Sequence, residues 1–408
     1  MNIVNKSLQA FRLDIAILAV IGVVQLTGQA YAQAVGFRVE GRNLVDATGN
    51  IFIIRGIAHP HVWYPSQTSS FANIKGAGAN AIRLVLSGGR WTPMNDVADV
   101  ARVVNLCKTN RLICVLENHD TTGFGEQSGA VSLAQAVSYW QSVQGALIGD
   151  EAYVIINIGN EPYGNNNPSA WAADTRNAII AMRAAGFRHT LVVDAPNWGQ
   201  DWQFVMRDNA ANVFNADPDR NTVFGIHMYG VFDTEAEVKG YVSSFANAGL
   251  PLLIGEFGWN HSDGNPDEDA IMATSQANGI GYLAWSWSGN GGGVEYLDMV
   301  TNFNPGQRTD WGNRVIGGAN GLRQTSREAC VYGGCGRAGS WPRLERSRMS
   351  GILFDCGHGA SIARACQGRP KTGSGVSGVS ENRGLLMTSD VAAARPLSPG
   401  SGEGQHIP

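Results

Sequence analysis

Eight short, strongly apolar segments recur along this chain at similar intervals, and this repetition restricts the fold more than any other feature. They begin near Ile51, Ala81, Leu112, Val154, Thr190, Thr222, Pro251 and Gly281. Between them lie segments with the apolar spacing of helices, such as DVADVARVVNLCKTN. Near-continuous apolar strands that alternate with helices indicate a parallel sheet covered by helices. Eight such units in about 280 residues predict an α/β fold of the (β/α)8 TIM-barrel type, for which about 250 residues are typical.

A doubly wound open sheet is the alternative α/β architecture. It usually has fewer units, and it does not place polar residues at the ends of so many strands. We therefore favour the barrel. The preceding segments FRVEGRNLV and DATGNIF predict an N-terminal hairpin that closes the floor of the barrel.

The first 32 residues have the pattern of a secretory signal peptide. Lys6 and Arg12 precede an apolar stretch, and Ala30-Tyr31-Ala32 supplies a small-x-small cleavage pattern before Gln33. A membrane anchor is the alternative, but the apolar stretch is shorter than the roughly 20 residues of a spanning helix. We expect a secreted, extracellular protein with no membrane association after cleavage. Of its six cysteines, Cys107 and Cys114 form either a disulfide or two buried thiols.

The composition changes near residue 333. Residues 36–332 have the patterns of one catalytic domain, whereas 333–408 are rich in Gly, Arg, Ser and Pro. Such a composition buries too little apolar surface to fold, so we predict a disordered tail. A binding module would need aromatic platforms that the tail lacks, and a shifted reading frame would also give this composition. Cys330, Cys335, Cys356 and Cys366 could form bridges.

Charge and aromatic content limit the partners of the chain. The formal net charge of −4 gives no indication of a nucleic-acid partner. Eleven tryptophans are many for a chain with 16% charged residues. Flat rings pack against the apolar faces of sugars, although most tryptophans simply fill cores.

Polar side chains stand at or just beyond the carboxyl ends of the predicted strands. In a (β/α)8 barrel these ends converge on one cleft. We therefore expect the following residues to lie near one another: His59, Arg83, His119, Asn160, Glu161, Asn197, His227, Tyr229, Glu256 and Trp285.

Two glutamates in this set indicate the chemistry. Glu161 follows the fourth strand and Glu256 follows the seventh, so the two can face each other across the cleft. Cleavage of a glycosidic bond needs two carboxyl groups, one to protonate the leaving oxygen and one to attack or to activate water. A single Asp or Glu is ordinarily a solvated surface group. Two at the ends of apolar strands favour a catalytic pair.

These motifs make residues 36–332 resemble glycoside hydrolase family 5. The resemblance rests on Asn160-Glu161-Pro162 after strand four and Gly255-Glu256-Phe257-Gly258 after strand seven, with the other polar residues in the same order at their strand ends. Within that family, the segments HPHVWYP, LENHDTTG, GNEPYGNN, HMYGVF and LAWSWSGNGGG look like its bacterial β-mannanase branch.

The resemblance implies a role for each matching residue. Glu161 is the implied acid/base and Glu256 the implied nucleophile of a retaining mechanism. The implied substrate-binding residues are Arg83, His119, Asn160, His227, Tyr229 and Trp285, together with a His after strand one, for which we prefer His59 to His61. We expect Arg83 to lie close to Glu256 and keep it ionised, and Tyr229 to donate its hydroxyl to Glu256. Trp198, like Trp63 and Trp202, could line an outer sugar subsite or pack within its loop.

Three histidines and two glutamates could also suggest zinc. No HExxH or similarly close ligand spacing occurs, so we expect neither a metal nor a cofactor. We expect a monomeric endo-β-1,4-mannanase that cleaves internal bonds of mannan, glucomannan and galactomannan by double displacement. The alternatives are an endo-β-1,4-glucanase on the same scaffold and a carbohydrate-binding barrel without catalysis.

Overall fold

A computed structural model describes residues 36–333 and residue 335. The predicted signal peptide, nearly all of the predicted tail, and Cys356 and Cys366 lie outside the described residues. No helix of the described part is long and apolar enough to cross a bilayer.

The described chain forms a small hairpin followed by alternating strands and helices. The strands are β1 (Arg38–Glu40), β2 (Asn43–Val45), β3 (Arg55–His59), β4 (Ala81–Leu86), β5 (Ile113–Asn118), β6 (Val154–Asn157), β7 (Leu191–Asp194), β8 (Thr222–Met228), β9 (Leu252–Phe257) and β10 (Gly281–Ala284). The α-helices are α1 (Ser69–Ala77), α2 (Val97–Thr109), α3 (Leu133–Ser142), α4 (Trp171–Ala184), α5 (Val205–Ala216), α6 (Glu235–Ala248), α7 (Glu268–Asn278), α8 (Asp310–Gly317) and α9 (Leu322–Thr325). Short 3-10 turns occupy His119–Thr121, Gln144–Ala146, Pro168–Ala170, Glu295–Leu297, Thr301–Phe303 and Cys330–Tyr332.

The last eight strands close into a barrel. They follow one another in chain order from β3 to β10, each pairs in parallel with the next, and β10 returns to pair with β3. This confirms the predicted (β/α)8 barrel, since a doubly wound sheet would leave two edges open. All eight carboxyl ends therefore surround one mouth.

Local sequence signals fix where several helices begin and end. Asp96 accepts a hydrogen bond from the backbone of Asp99 at the start of α2. Ser132 and Thr234 form capping boxes with Gln135 and Glu237 at the starts of α3 and α6. Each cap satisfies backbone N–H groups that the first turn leaves without a partner.

The hairpin and the first barrel strand differ in detail from the prediction. The hairpin lies within FRVEGRNLV, where β1 pairs with β2 in antiparallel register. Ile51 extends that hairpin through one bridge to Val45, so the barrel strand begins at Arg55. A continuous apolar run cannot reveal this division, because both halves are equally suited to a strand.

Two apolar layers hold the barrel together. One lies between the strands and the surrounding helices, and the other fills the barrel interior and its floor. Phe37 and Phe52 pack into the floor layer with residues from the strands, and Ala329 joins them from the end of the domain. The predicted closure of the floor by the N-terminal segment is therefore confirmed.

The described cysteines fall into two pairs. Cys107 and Cys114 are buried free thiols with their sulfurs 2.7 Å apart, which is the second of the two alternatives predicted for them. Cys330 and Cys335 form a disulfide at the end of the domain.

Candidate active site

A cleft of about 420 Å³ opens at the carboxyl ends of the barrel strands. Seven of the residues predicted from strand ends line it: His119, Asn160, Glu161, Asn197, Tyr229, Glu256 and Trp285. Asn197 and Trp198 line it from the loop after β7. The convergence expected of strand-end residues is thus present for most of the predicted set.

The two glutamates face each other across this cleft. One carboxylate oxygen of Glu161, one of Glu256 and a ring nitrogen of His227 all lie within 4.8 Å of one another. Glu161 has a left-handed backbone with φ of 40°, a conformation that costs a non-glycine residue of order 1 kcal/mol. Its carbonyl accepts a hydrogen bond of 3.0 Å from the backbone of Gly123, which helps to hold this conformation.

Two donors fix the carboxylate of Glu256. Nη1 of Arg83 donates to Oε1 at 2.6 Å, and the hydroxyl of Tyr229 donates to Oε2 at 3.0 Å. Charge-assisted hydrogen bonds of this kind fix the orientation of the carboxylate. Arg83 also donates from Nη2 to Oδ1 of Asn160 at 2.7 Å, so one guanidinium orients a residue on each side of the cleft.

Arg83 itself lies beneath the cleft floor among buried carboxylates. Glu117 and Asp194 each approach it to 3.6 Å, and both are fully buried. Burial alone would lower the pKa of Arg83, but the charges of Glu117, Glu256 and Asp194 outweigh it and raise the pKa above its ordinary value. Arg83 therefore stays charged and contacts the glutamates rather than the open cleft.

Sequence reasoning missed Glu117 and Asp194. Both stand at strand ends, in LENHD and VVDAP, and that position was the available signal. A buried carboxylate is costly unless it is paired. The pairing with Arg83 brings together side chains from three strands, and sequence spacing does not specify such a contact.

His119 forms part of the cleft wall with Trp285. Its Nδ1 lies 2.9 Å from Oε1 of Glu117, and its ring stacks on Trp285 with centroids 6.1 Å apart. Burial would lower the pKa of His119, but the charge of Glu117 outweighs it and raises the pKa. Trp285 is held in turn by donation from Nε1 to Oδ1 of Asn290 at 2.8 Å.

Two tryptophans that follow β10, the last barrel strand, point in opposite directions. Trp285 belongs to the apolar cluster at the barrel mouth, whereas Trp287 packs into the layer beneath the helices. The choice of Trp285 as the residue that faces the cleft is consistent with this arrangement.

His59 does not reach the cleft, which corrects the expectation that it contacts substrate. Along β3, Ile57 and His59 point toward the helices while Ala58 points to the barrel mouth. The ring of His59 is fully buried and packs edge-on against Phe71 and Phe303. Burial lowers its pKa to about 3, so the ring is neutral.

His227 also lies below the cleft rather than on its surface. Its Nδ1 is 2.8 Å from Oε1 of Glu161, and its ring is fully buried. It therefore contacts the implied acid/base directly and cannot reach a sugar in this arrangement. Arg83 contacts Glu256 as expected, but neither Arg83 nor His227 lines the cleft, which differs from their expected place among the substrate-binding residues.

The loop after β7 supplies the outer wall of the cleft. The ring of Trp198 packs so close to Gly123 that a Cβ there would lie 2.4 Å from it. Trp202 is 43% exposed and donates from Nε1 to Oδ1 of Asn165 at 2.8 Å. Asn197 donates to the same oxygen at 3.3 Å. Asn165 thus joins the loops after β6 and β7.

The Glu161, His227 and Glu256 atoms are close enough to ligate one cation. The guanidinium of Arg83, 2.6 Å from Glu256, opposes a second positive charge at this position. The donor set fits a carboxylate pair held by an arginine and a histidine better than a metal centre.

The family model described as Cellulase (glycosyl hydrolase family 5) matches residues 45–291. The chain belongs to glycosyl hydrolase family 5. It is 57% identical over 311 residues to the mannan endo-1,4-beta-mannosidase of Streptomyces lividans, covering 76% of this chain and 81% of that protein. It is 49% identical to that of Cellvibrio japonicus, covering 76% and 73%.

Solved structures give the same result for this family 5 chain. A β-mannanase from Thermomonospora fusca matches with a TM-score of 0.72 at 58% identity, covering 73% of this chain and 99% of that one. A mannohexaose complex of Thermomonospora fusca β-mannanase matches with a TM-score of 0.71 at 57% identity over the same shares. The predicted resemblance to family 5 and its bacterial mannanases is confirmed, and the chain is a glycoside hydrolase.

Proposed function

We propose that this glycoside hydrolase is a retaining endo-β-1,4-mannanase, with Glu256 as nucleophile and Glu161 as acid/base. The observation that carries the mechanism is the approach of the two carboxylates, whose nearest oxygens lie within 4.8 Å. Retaining glycosidases place their carboxyl groups about 5–5.5 Å apart, whereas inverting enzymes need about 6.5–9.5 Å to admit water between them.

The first step forms a covalent glycosyl enzyme. Glu256 attacks the anomeric carbon as a carboxylate while Glu161 gives its proton to the departing sugar oxygen. Arg83 and Tyr229 donate to the two oxygens of Glu256 and hold it in position for this attack. In the second step Glu161 takes a proton from water, which then attacks the anomeric carbon and releases Glu256.

Asn160 is suited to hold the sugar beside the nucleophile. Arg83 donates to the side-chain oxygen of Asn160 at 2.7 Å, and the hydroxyl of Thr122 accepts from its amide nitrogen at 2.8 Å. These contacts fix the side chain at the cleft surface, with its second N–H available to a substrate hydroxyl. Hydrogen bonds to the 2-hydroxyl strengthen in the transition state of glycoside hydrolysis.

The choice of mannan rests on the relatives, because sugars that differ only at the 2-hydroxyl are distinguished by a few loop contacts. The similar proteins at 57% and 49% identity are named as mannan endo-1,4-beta-mannosidases. Trp198 and Trp202 line the same cleft as the two glutamates, and such aromatic side chains suit a polymer that lies along the cleft and is cleaved internally.

Release of reducing ends from galactomannan, glucomannan and carboxymethyl cellulose tests the substrate. We expect release from both mannans, with viscosity falling well before the reducing ends reach their plateau. Release from the cellulose derivative alone would instead support an endoglucanase. No turnover of any of the three would leave the carbohydrate-binding barrel as the better description.

The hydroxyl of Tyr229 gives a first mutational prediction. Tyr229→Phe removes one donor to Glu256 and leaves the ring in place. A hydrogen bond to a charged group contributes about 1.5–3 kcal/mol, so we expect kcat/KM on mannohexaose to fall by about 10- to 100-fold. Tyr153→Phe is the matched control, because Tyr153 packs against Tyr332 and does not line the cleft. Equal kinetics for Tyr229→Phe and the native protein would remove Tyr229 from the mechanism.

Trp202 gives a prediction about chain length. Trp202→Ala removes an exposed ring that Asn165 holds at the cleft wall. Stacking on an aromatic platform contributes about 0.5–1.5 kcal/mol, so we expect kcat/KM on mannohexaose to fall by about 3- to 10-fold. The loss should be smaller on mannotriose, which is too short to occupy the outer wall. An equal loss on both substrates would argue against an outer subsite at Trp202.

A further inference from the structure

Asp194 ends β7 and lies fully buried beneath the two cleft glutamates. Its Oδ1 accepts a hydrogen bond of 2.6 Å from Asn157, and its Oδ2 faces Nε2 of His227 at 3.3 Å. Within residues 36–333 neither this nitrogen nor Oδ2 of Asp194 has a hydrogen-bond partner, and the approach at 3.3 Å is an ion pair. Asp194 is therefore the polar neighbour on the far side of the His227 ring.

The neighbouring strands leave space for this pair. A Cβ at Gly225 on β8 would lie 2.2 Å from Oδ1 of Asp194. A Cβ at Gly255 on β9 would lie 3.1 Å from Nε2 of His227. Glycine inside a strand often marks such a close approach. The two glycines allow the carboxylate and the imidazole to meet inside the barrel.

The near side of the imidazole faces the catalytic pair. Nδ1 of His227 is 2.8 Å from Oε1 of Glu161 and 3.8 Å from Oε1 of Glu256. His227 thus stands between Asp194 and Glu161, with one ring nitrogen directed to each.

The charged groups around His227 come from several strands. Glu256, Asp194 and Glu161 face it with negative charge, and Arg83 adds one positive charge 3.6 Å from Asp194. Glu117 lies on the far side of Arg83. Burial alone would lower the pKa of His227, but the charges of Glu256 and Asp194 outweigh it and raise the pKa to about 10.

Asp194 remains ionised in this arrangement. Burial would raise its pKa, but the charges of His227 and Arg83 outweigh burial and lower it. A permanent negative charge therefore faces Nε2 of His227.

We propose that Asp194 is a positioning residue whose carboxylate holds a proton on Nε2 of His227, so that Nδ1 and Glu161 share one further proton. This inference rests on the proposed role of Glu161 as acid/base. The shared proton passes from Glu161 to the leaving oxygen, and a proton from water replaces it when Glu161 acts as base. Which ring nitrogen carries a proton is set by the partner of the other one.

Asp194→Asn tests the proposal, because it keeps the shape of the side chain and removes the charge. Without that charge the shared proton should be lost at lower pH. An opposite charge within about 4–6 Å commonly shifts a titration by one unit or more. We therefore expect the alkaline limb of kcat/KM on mannohexaose to move down by about one pH unit.

Asp46→Asn is the matched control, since Asp46 is a buried carboxylate at the barrel floor that accepts hydrogen bonds from Thr48, Asn50 and Cys330. We expect it to lower the melting temperature without moving the alkaline limb. An unmoved limb in folded Asp194→Asn would overturn the proposal. A native protein that turns over no mannan would instead refute the proposed function.

A spectroscopic measurement on the native chain needs no Asp194 variant. The chain has eight histidines, and comparison with His227→Gln identifies the ring nitrogens of His227 in a ¹⁵N-histidine-labelled sample. We expect Nε2 to carry a proton from pH 5 to 8. An unprotonated Nε2 in that range would refute the proposal whether or not Asp194→Asn folds, and this result is independent of mannan turnover.

Discussion

Glu256→Gln is expected to reduce kcat on mannan by about 10⁴- to 10⁶-fold, the scale of loss seen when a nucleophile is removed. The amide has nearly the shape of the carboxylate but cannot attack the anomeric carbon. Arg83 keeps Glu117 and Asp194 as neighbours at 3.6 Å, so its charge remains compensated. We therefore expect a folded but inactive protein, checked by kcat on mannohexaose and by the melting temperature.

A second measurement identifies the atom that reacts. A 2-deoxy-2-fluoro mannoside with a good leaving group slows breakdown of the glycosyl enzyme, so the native chain should gain the mass of one sugar at Glu256. Glu235→Gln, on the exposed surface of α6, is the matched control and should be labelled and active like the native protein. Labelling at another residue would show that Glu256 is not the nucleophile.

Glu161→Ala is expected to have the second-largest effect, with kcat on mannan falling by about 10²- to 10⁴-fold. The loss should depend on the leaving group. A mannoside that releases dinitrophenol needs little protonation, so its first step should stay fast while breakdown of the glycosyl enzyme becomes slow. A burst of dinitrophenol equal to the enzyme concentration is the observation that checks this.

Azide distinguishes the acid/base from the nucleophile. In Glu161→Ala it can enter the space left by the carboxylate and attack the glycosyl enzyme without base assistance. We expect faster turnover of the dinitrophenyl mannoside and a β-mannosyl azide product, which retains configuration. An α-azide, or unchanged turnover of mannan by Glu161→Ala, would contradict the assignment.

The barrel and its catalytic pair were open to prediction because each depends on short-range sequence features. An apolar strand followed by a polar end recurs eight times, and parallel strands place those ends at one mouth. Glu161 and Glu256 were recognisable because each interrupts an apolar run with a carboxylate. No long-range contact had to be known to place them in one cleft.

The direction in which an individual strand side chain points, toward the helices or into the barrel, was less predictable. His59 is the last residue of β3 and Arg83 lies within β4, and His59 points to the helices whereas Arg83 points into the barrel. Alternation fixes which residues share a face, but the first strand begins at Arg55 rather than Ile51, and the sequence run gives no sign of that boundary.

The sequence by itself determined the closed barrel, the cleft at its carboxyl ends and the two glutamates within it, because hydrophobic periodicity and strand-end position are properties of neighbouring residues. Only the tertiary structure decided how the charges beneath the cleft are compensated. Arg83, Glu117, Asp194 and His227 come from four strands, and their mutual contacts arise when the barrel closes. Each of these charges is unfavourable when it is buried by itself and is stabilised by an oppositely charged neighbour. Their arrangement is therefore a property of the folded molecule.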